Sequence, residues 1–431
     1  DLRRLVYFLD DVNLPEVDPY GTQRAIELCR QQIEYEHMYD MTKLARKNVV
    51  NTQMVACMNP TAGSFLINPR LQRWFATFAI GLPGPVSLMT IYQTFLDGHL
   101  KKFDASLDDK FAIALIKGAL GLHASVAQNF RKTAANFHYE FNIRHISNVF
   151  QGLLATQPEK FPETAKFVEL WLHESERVYG DRLVSPKDLE KYKSLAAGQA
   201  KKNFPQVNVA RFFSDENAEP LIFCHFVDST TDLVYDQVVS MPKLSEIMHH
   251  ALEEHNETNA VMDLVLFEDA MKHVCRCVRV ILGEGGHALM VGVGGSGKQS
   301  LSRLSAFICT YDVKQIVISA TYSMNDFKED LKIMHNKAGL KEEGVTFLLT
   351  DSQITNERFL IFVNDLLASG EVPDLFAPEE VDILTNGCVS RCKAQGIVPD
   401  KKNLWKFFIN EIKTNLHVVL AFSPVGDDFR N

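Results

Sequence analysis

A glycine-rich turn limits what the second half of this chain can fold into. The apolar run His287-Ala288-Leu289-Met290-Val291 passes directly into Gly292-Val293-Gly294-Gly295-Ser296-Gly297-Lys298-Gln299, and the helix-like stretch 300–308 follows. Strand, glycine turn and helix in that order form a phosphate-binding loop. Gly294, Gly295 and Gly297 let backbone N–H groups turn inward around phosphate oxygens, with Gly292 opening the loop and Ser296 lining it. Lys298 adds a point charge for the β- and γ-phosphates.

The eighth loop position departs from an active site. A Ser or Thr hydroxyl ordinarily reaches Mg²⁺ there, and this chain has Gln299. Ser300 substitutes poorly, because one helical residue turns its side chain by about 100°. A Gln carbonyl reaches the metal only on a longer arm. The loop therefore reads as one that holds a nucleotide and organises its metal less well.

At 431 residues the chain exceeds one compact core, so two or three domains are expected. Apolar content of 46% and charged content of 23% are ordinary for a globular protein. No apolar run approaches the length of a membrane span, and none is expected. The net charge of −9 argues against a nucleic-acid-binding surface. The cysteines (29, 57, 224, 275, 277, 309, 388 and 392) form no C-x-x-C, so neither a zinc site nor a redox pair is indicated. Cys388 and Cys392 read as a reduced pair on a helix. The chain opens at Asp1 inside an apolar strand, which reads as a piece of something longer.

A second half-site stands at the front. Leu5-Val6-Tyr7-Phe8-Leu9 reads as a buried strand ending in Asp10 and Asp11. In phosphate-loop ATPases such a strand ends in two acids, the first holding the magnesium water shell and the second polarising the attacking water. Asp11 stands where Glu is usual, shorter by about 1.5 Å of reach, so water activation there is expected to be slow. The stretch 53–60 reads as a second strand, ending in Asn59, whose amide can sense a γ-phosphate or orient water. Arg70 and Arg73 precede an apolar stretch, 74–80, that reads as another strand.

The same parts recur after the glycine loop. Phe347-Leu348-Leu349-Thr350-Asp351-Ser352-Gln353 parallels 8–13 at its acid end, and 417–424 parallels 53–60, with Ser423 where Asn59 stands. Two registers are open. If Asp351 matches Asp11, Thr350 has replaced the magnesium acid; if it matches Asp10, Ser352 has replaced the general base. Either way one carboxylate is gone. The chain holds the back of one module and the front of the next.

The stretches FLDDVNLPEVDPYGTQRAIELCRQ, ACMNPTAGSFLINPRLQRWF, LWLHESERVYGDRL and GVGGSGKQSLSRL resemble the AAA+ ring of a dynein heavy chain. They match the later half of its third module followed by the large subdomain of its fourth, over nearly the whole chain. The GVGGSGKQ variant is similar to axonemal heavy chains. A midasin-type ring, which also strings six modules on one polypeptide, is the alternative; HESERVYGDRL favours dynein. The resemblance implies P-loop parallel sheets flanked by helices, with an all-helical lid between two partial modules.

It also implies ATP or ADP with Mg²⁺, and Asp10 as a magnesium ligand. Arg70, in preference to Arg73, becomes the arginine finger acting on the preceding module, unless both arginines merely cap the sheet with carboxylate partners. Arg177 becomes the lid arginine that reports nucleotide state, with an i, i+3 pairing to Glu174 as the plain competitor. Together with Asp11, Asn59 and Asp351 these are the candidate catalytic residues. Implied partners are the other modules of the same heavy chain, microtubules through a stalk outside this chain, and intermediate and light chains. No nucleic acid or membrane is implied. The implied setting is the cytoplasm, cytoskeleton and ciliary axoneme. ATP-driven force along microtubules belongs to the parent ring, and this piece alone is expected to turn over little or no ATP. A nucleotide-clamped scaffold that never turns over is the other function class.

The expected organisation is 1–83 as the later half of a large subdomain, 84–200 as the lid, 201–242 as a connector and 243–431 as the next large subdomain. Leu88, Ile91, Tyr92, Phe95 and Leu96 share a helical face. In the last part, helices are expected at 264–282, from Asn325 and at 356–369, and strands at 315–319, from Phe347 and at 417–422. The stretch 370–400 reads as loop-rich, an insert projecting from the body. His249, His250 and His255 read as a solvated helix face.

Overall fold

The computed structural model describes residues 4–59, 67–103, 107–133, 136, 138–213 and 219–424. Two compact units arise, Asp1–Pro83 and Gly84–Asn431.

The first unit runs β1 (Leu5–Leu9), α1 (Arg24–Tyr35), β2 (His37–Tyr39), β3 (Arg46–Asn48), β4 (Thr52–Ala56) and α2 (Pro69–Gln72). β1 and β4 pair in parallel, from Leu5 opposite Thr52 to Leu9 opposite Ala56. β2 and β3 form an antiparallel hairpin between α1 and β4. Val12, Ile26 and Leu71 form the core, with Leu9 and Ala56 packed against them. β1 is not the buried strand its composition suggests: Leu5, Val6 and Phe8 are 54%, 53% and 67% exposed, because this small core covers only part of the pair. The stretch 74–80 forms no strand. A strand needs a neighbour's N–H and C=O groups, and β1 and β4 pair with each other alone. Pro60, at the end of the expected second strand, lies outside the described residues.

The second unit begins with five helices: α3 (Pro85–Leu100), α4 (Asp109–Asn129), α5 (Ile143–Leu153), α6 (Thr164–Val178) and α7 (Pro186–Asn203). Their starts are written in the sequence. Asp108 accepts from Phe111 N–H, Asn142 and His145 form a reciprocal cap, and Pro85 and Pro186 occupy first turns. Leu96, Leu115, Leu122, Phe150, Phe167 and Trp171 interlock in their shared core. On α3 the expected apolar face splits: Tyr92 and Leu96 are buried, whereas Ile91 and Phe95 are largely exposed. Consecutive residues point about 100° apart, so 91/95 and 92/96 cannot share one narrow seam. α4 is long and apolar enough to match a membrane span by length and composition, a property the run-length reading missed; Leu115, Ile116 and Leu122 of this helix are buried among its neighbours.

β5 (Phe223–Cys224) and β6 (Asp236–Gln237) pair antiparallel. Phe223 and Tyr235 join the helical core, while Ile222, Cys224 and Val238 join the core that follows. That following part runs α8 (Met241–Thr258), α9 (Glu268–Ile281), β7 (Ala288–Val291), α10 (Lys298–Ile308), β8 (Asp312–Lys314), α11 (Met324–Leu340), β9 (Val345–Thr350), α12 (Arg358–Ser369), α13 (Pro378–Gly387), α14 (Val389–Ala394), α15 (Lys401–Asn415) and β10 (Leu416–Phe422). Its sheet is parallel, in the order β7-β10-β9-β8. Leu348 and Val419 face one core with Val274, Val278 and Leu304; Phe347, Leu349 and Val418 face the other with Phe327, Leu331 and Phe408. Helices cover both faces, so β9 is buried along its whole length.

Three local expectations give way. The strand expected at 315–319 lies at Asp312–Lys314, where it pairs with Val345–Phe347, and beyond Lys314 no ladder continues. The middle of the stretch 370–400 forms two helices, α13 and α14, where projecting loops were expected. Its Gly and Pro punctuation hides a stripe, Leu384, Cys388 and Cys392, that is buried in the core. His255 is buried against the ring of Phe307, while His250 stays exposed.

Burial lowers the imidazoles of His123, His225, His287 and His335 to about 4. An unfolded His takes its proton near pH 6.5, so between about 6.5 and 4 the unfolded chain binds more protons than the folded one. Stability is therefore full above about pH 6.5 and lost as the pH falls toward 4. Urea midpoints should drop from pH 7 to pH 5, and His335→Leu should shrink that drop; a flat or rising profile would contradict the assignment.

Candidate functional site

The C-terminal ends of the second unit's sheet converge on the glycine loop. β7 ends at Val291, and the N–H of Gly292 donates to Phe422 O at 3.1 Å, tying the loop's entry to the end of β10. Gly295 and Gly297 have φ of 77° and 79°, the left-handed region that a side chain disfavours. A Cβ at Gly294, Gly295 or Gly297 would meet no heavy atom within 4 Å, so the space beside these residues is open. Gly297 is the N-cap of α10 and offers no side-chain acceptor to the first N–H groups of the helix. Lys298 Nζ leans over the loop, donating to Val293 O at 2.8 Å, to Ser296 Oγ at 3.3 Å and to Gly292 O. Open glycine amides, a helix N-terminus and an ammonium group in one turn fit a phosphate chain. Gln299, exposed, and Ser300 occupy the first turn of α10.

Asp351 stands at the end of β9 on the same crest. Its Oδ1 accepts from Ser352 N–H at 2.9 Å and its Oδ2 from Ser423 N–H at 2.9 Å. The bond from Ser423, with Lys298 in electrostatic reach, holds the carboxyl below its usual range. Gln353 Oε1 accepts from Thr350 N–H at 2.9 Å and from Thr350 Oγ1 at 3.0 Å, while its Nε2 donates to Ile316 O.

Strand pairing alone is compatible with both open registers. Leu9 pairs with Ala56 in the first unit, and Thr350 with Ala421 in the second. Matching these pairs sets Asp351 on Asp10, Ser352 on Asp11 and Ser423 on Met58. Carrying the first ladder one step on, to Asp10 opposite Cys57, sets Asp351 on Asp11 and Ser423 on Asn59. One local bond favours the first match: Asp11 N–H donates to Asp10 Oδ1 at 3.0 Å just as Ser352 N–H donates to Asp351.

In the first unit Asp10 Oδ1 also accepts from the Cys57 thiol at 3.0 Å, a bond that pushes the thiol's pKa up. Asp11 has φ of 47°, left-handed for a residue with a side chain. Asn59 is exposed just past β4. Arg70 is exposed on α2, its N–H held by Asn68 Oδ1 at 3.0 Å. Arg73 is engaged locally, 3.3 Å from Glu34 Oε1 and 5.3 Å from the centre of the Trp74 ring.

Arg177, at the end of α6, lies 3.1 Å from Glu176 Oε1 and 3.4 Å from Asp181 Oδ1. The alternative pairing with Glu174 does not form. Buried Glu174 takes Arg279 of α9 at 3.3 Å and the Tyr235 hydroxyl instead. Arg276, one turn earlier on α9, reaches Asp181 Oδ1 at 3.1 Å. These side chains line a cavity of about 850 Å³. Sequence reasoning missed Asp181, Arg276, Arg279 and Gln353. The arginines' i, i+3 spacing on α9 was the available signal; nothing local marked Gln353.

Asp351→Ala should speed hydrogen exchange at Ser423 and Phe422, with a global stability loss of no more than about 1 kcal/mol for one exposed hydrogen bond. Unchanged protection at both amides would show that Asp351 does not tie the strand ends.

Family models match in three stretches: a P-loop containing dynein motor region at residues 2–83, an AAA+ lid domain at 115–213, and a P-loop containing dynein motor region D4 at 262–431. The chain is 54% identical over 428 residues to the dynein alpha chain, flagellar outer arm, of Chlamydomonas reinhardtii, covering 99% of this chain and 10% of that one. It is 47% identical to the ciliary dynein beta chain of Tripneustes gratilla and 46% identical to dynein axonemal heavy chain 9 of Homo sapiens, with 99% and 10% covered in each case. It thus spans about a tenth of the length of these relatives. The matches fit the dynein reading and not the midasin alternative, and they make the glycine loop part of a nucleotide-binding P-loop domain. Over nearly its whole length, then, the chain belongs to the dynein heavy-chain family of AAA+ proteins, as a stretch of the motor region.

Proposed function

We propose that the chain serves, within a complete heavy chain, as nucleotide-binding regulatory modules of a microtubule motor ATPase in the ciliary axoneme. Residues 1–83 are the later half of the third module, 84–200 its lid, 201–242 a connector and 243–431 the large subdomain of the fourth. The other modules of the ring, microtubules and the intermediate and light chains are its partners. The names of the relatives, flagellar, ciliary and axonemal, support that setting.

The observation that carries the site reading is the bond shared by the two acids, from Asp11 N–H to Asp10 and from Ser352 N–H to Asp351, which supports matching Asp351 with Asp10 and Ser352 with Asp11. In the second site the open turn of Gly294, Gly295 and Gly297 receives the phosphates of ATP or ADP, with Gly292, Ser296 and Lys298 around them. Magnesium, when bound, neutralises phosphate charge. Asp351 would be the acid that holds it, and Gln299 or Ser300 would add only a weak further contact. Ser352 carries no general base, so this site binds nucleotide and hydrolyses it slowly or not at all. In the first site Asp10 is the metal acid, Asp11 a short general base and Asn59 the amide that senses the γ-phosphate. Arg70, exposed, acts on the preceding module's nucleotide, whereas Arg73 is held by Glu34. Arg177 reports nucleotide state to the lid. Ser352 also favours a second reading, a permanent nucleotide clamp, which slow exchange of bound nucleotide would support.

Lys298→Ala tests the main reading. Removing the ammonium should weaken ADP binding to the chain by at least about tenfold, the scale of one lost charge-assisted contact. ATP turnover should stay near background with and without the substitution. Ordinary turnover that Lys298→Ala abolishes would contradict the assignment of Ser352.

A further inference from the structure

We propose that Gln353 is a positioning residue that fixes the Asp351 carboxylate for a magnesium nucleotide, an inference that rests on the nucleotide reading above. The two units brace their matched acids differently. In the first, Val12 lies two residues past Asp10, as Gln353 lies two past Asp351, and its backbone N–H donates to Cys57 O at 3.2 Å. That brace runs inward, to the neighbouring strand β4. In the second unit the chain leaves Asp351 in a tight turn, closed by Ile354 N–H on Asp351 O at 3.1 Å. The turn carries the Gln353 amide back over the residue before the acid.

That amide makes three bonds at once. Its oxygen takes the N–H and the hydroxyl of Thr350, and its nitrogen donates to Ile316 O. The β8–β9 ladder ends with Lys314 opposite Phe347. Ile316 lies beyond it, so Gln353 joins the two chains at the level of the acid, where backbone pairing has stopped. Asp351 is thereby held from both sides: by Ser423 N–H toward β10, and by the Gln353 bridge toward the chain that continues β8. The sheet itself does not depend on this bridge, because β9 pairs with β10 from Val345 to Thr350. Removing the amide frees the acid's turn and leaves the ladder intact. The glycine loop lies on the opposite side of β10, tied through Gly292 and Phe422, and is untouched. The consequence falls on the metal and not on the phosphates.

The test compares affinity for a fluorescent ADP with Mg²⁺ and with Mg²⁺ chelated, in the 431-residue chain. Gln353→Met keeps side-chain length and removes every bond. It should weaken Mg²⁺–ADP by about three- to tenfold, the range for one lost hydrogen bond, and leave metal-free ADP within about twofold. Equal weakening of both, or no change in either, would overturn the assignment. Should Gln353→Met fail to fold by circular dichroism, Thr350→Val removes the hydroxyl's bonds to Gln353 and Ser352 and keeps the N–H bond to Gln353; it should shift the two affinities apart in the same direction, and an unchanged ratio would overturn the assignment too. No ADP binding by the unsubstituted chain would overturn the nucleotide reading and the inference with it.

Discussion

The second site depends on how the ends of parallel strands are tied together once their ladder runs out. Parallel pairing leaves N–H and C=O groups at the C-terminal crest that the sheet cannot satisfy by itself. Here Gly292 N–H takes Phe422 O, Ser423 N–H takes Asp351, and Gln353 takes both Thr350 and Ile316. These bonds set the glycine loop and the acid on one line of strand ends. The crest faces water because it has to admit a ligand, so its order comes from hydrogen bonds rather than burial. The cores on either face of the sheet supply the rigid base beneath it.

A second set of contacts joins the helical layer to the α/β layer within the same unit. Glu174 and Asp181 each receive an arginine from one face of α9, Arg279 and Arg276 respectively. Glu174 is nearly buried, and a buried carboxylate is tolerable only with its charge and hydrogen bonds matched; Arg279 and Tyr235 supply both. α9 runs through a short turn into β7 and the glycine loop. Arg177 shares Asp181 with Arg276, so α6 and α9 meet at one carboxylate.

Much of this was legible in the sequence. The glycine loop and the acid-ended strands are local signals, each with its own physical cause, and the structure keeps them. What failed was set by tertiary context. The stretch 74–80 has strand composition and no neighbour to pair with. Residues 370–400 carry loop punctuation over a buried helical stripe. β8 lies a few residues early because its edge is decided by β9, not by the apolar run 315–319. The acid register could not be read from letters, since both matches of Asp351 were chemically sensible; what favours one of them is a bond, from the following N–H to Asp10 and to Asp351. Gln353 was invisible because its importance lies in a carbonyl 37 residues away in the chain.

The central claim is that Asp351 and the loop around Lys298 form one magnesium–nucleotide crest, with Ser352 as a bystander. A structure of the chain solved with ADP and Mg²⁺ tests it most directly. The account predicts phosphates inside the turn of Gly294 to Gly297 and a metal whose water shell meets Asp351. Phosphates outside that turn, or a metal held away from Asp351 by Ser352 or Thr350, would contradict it.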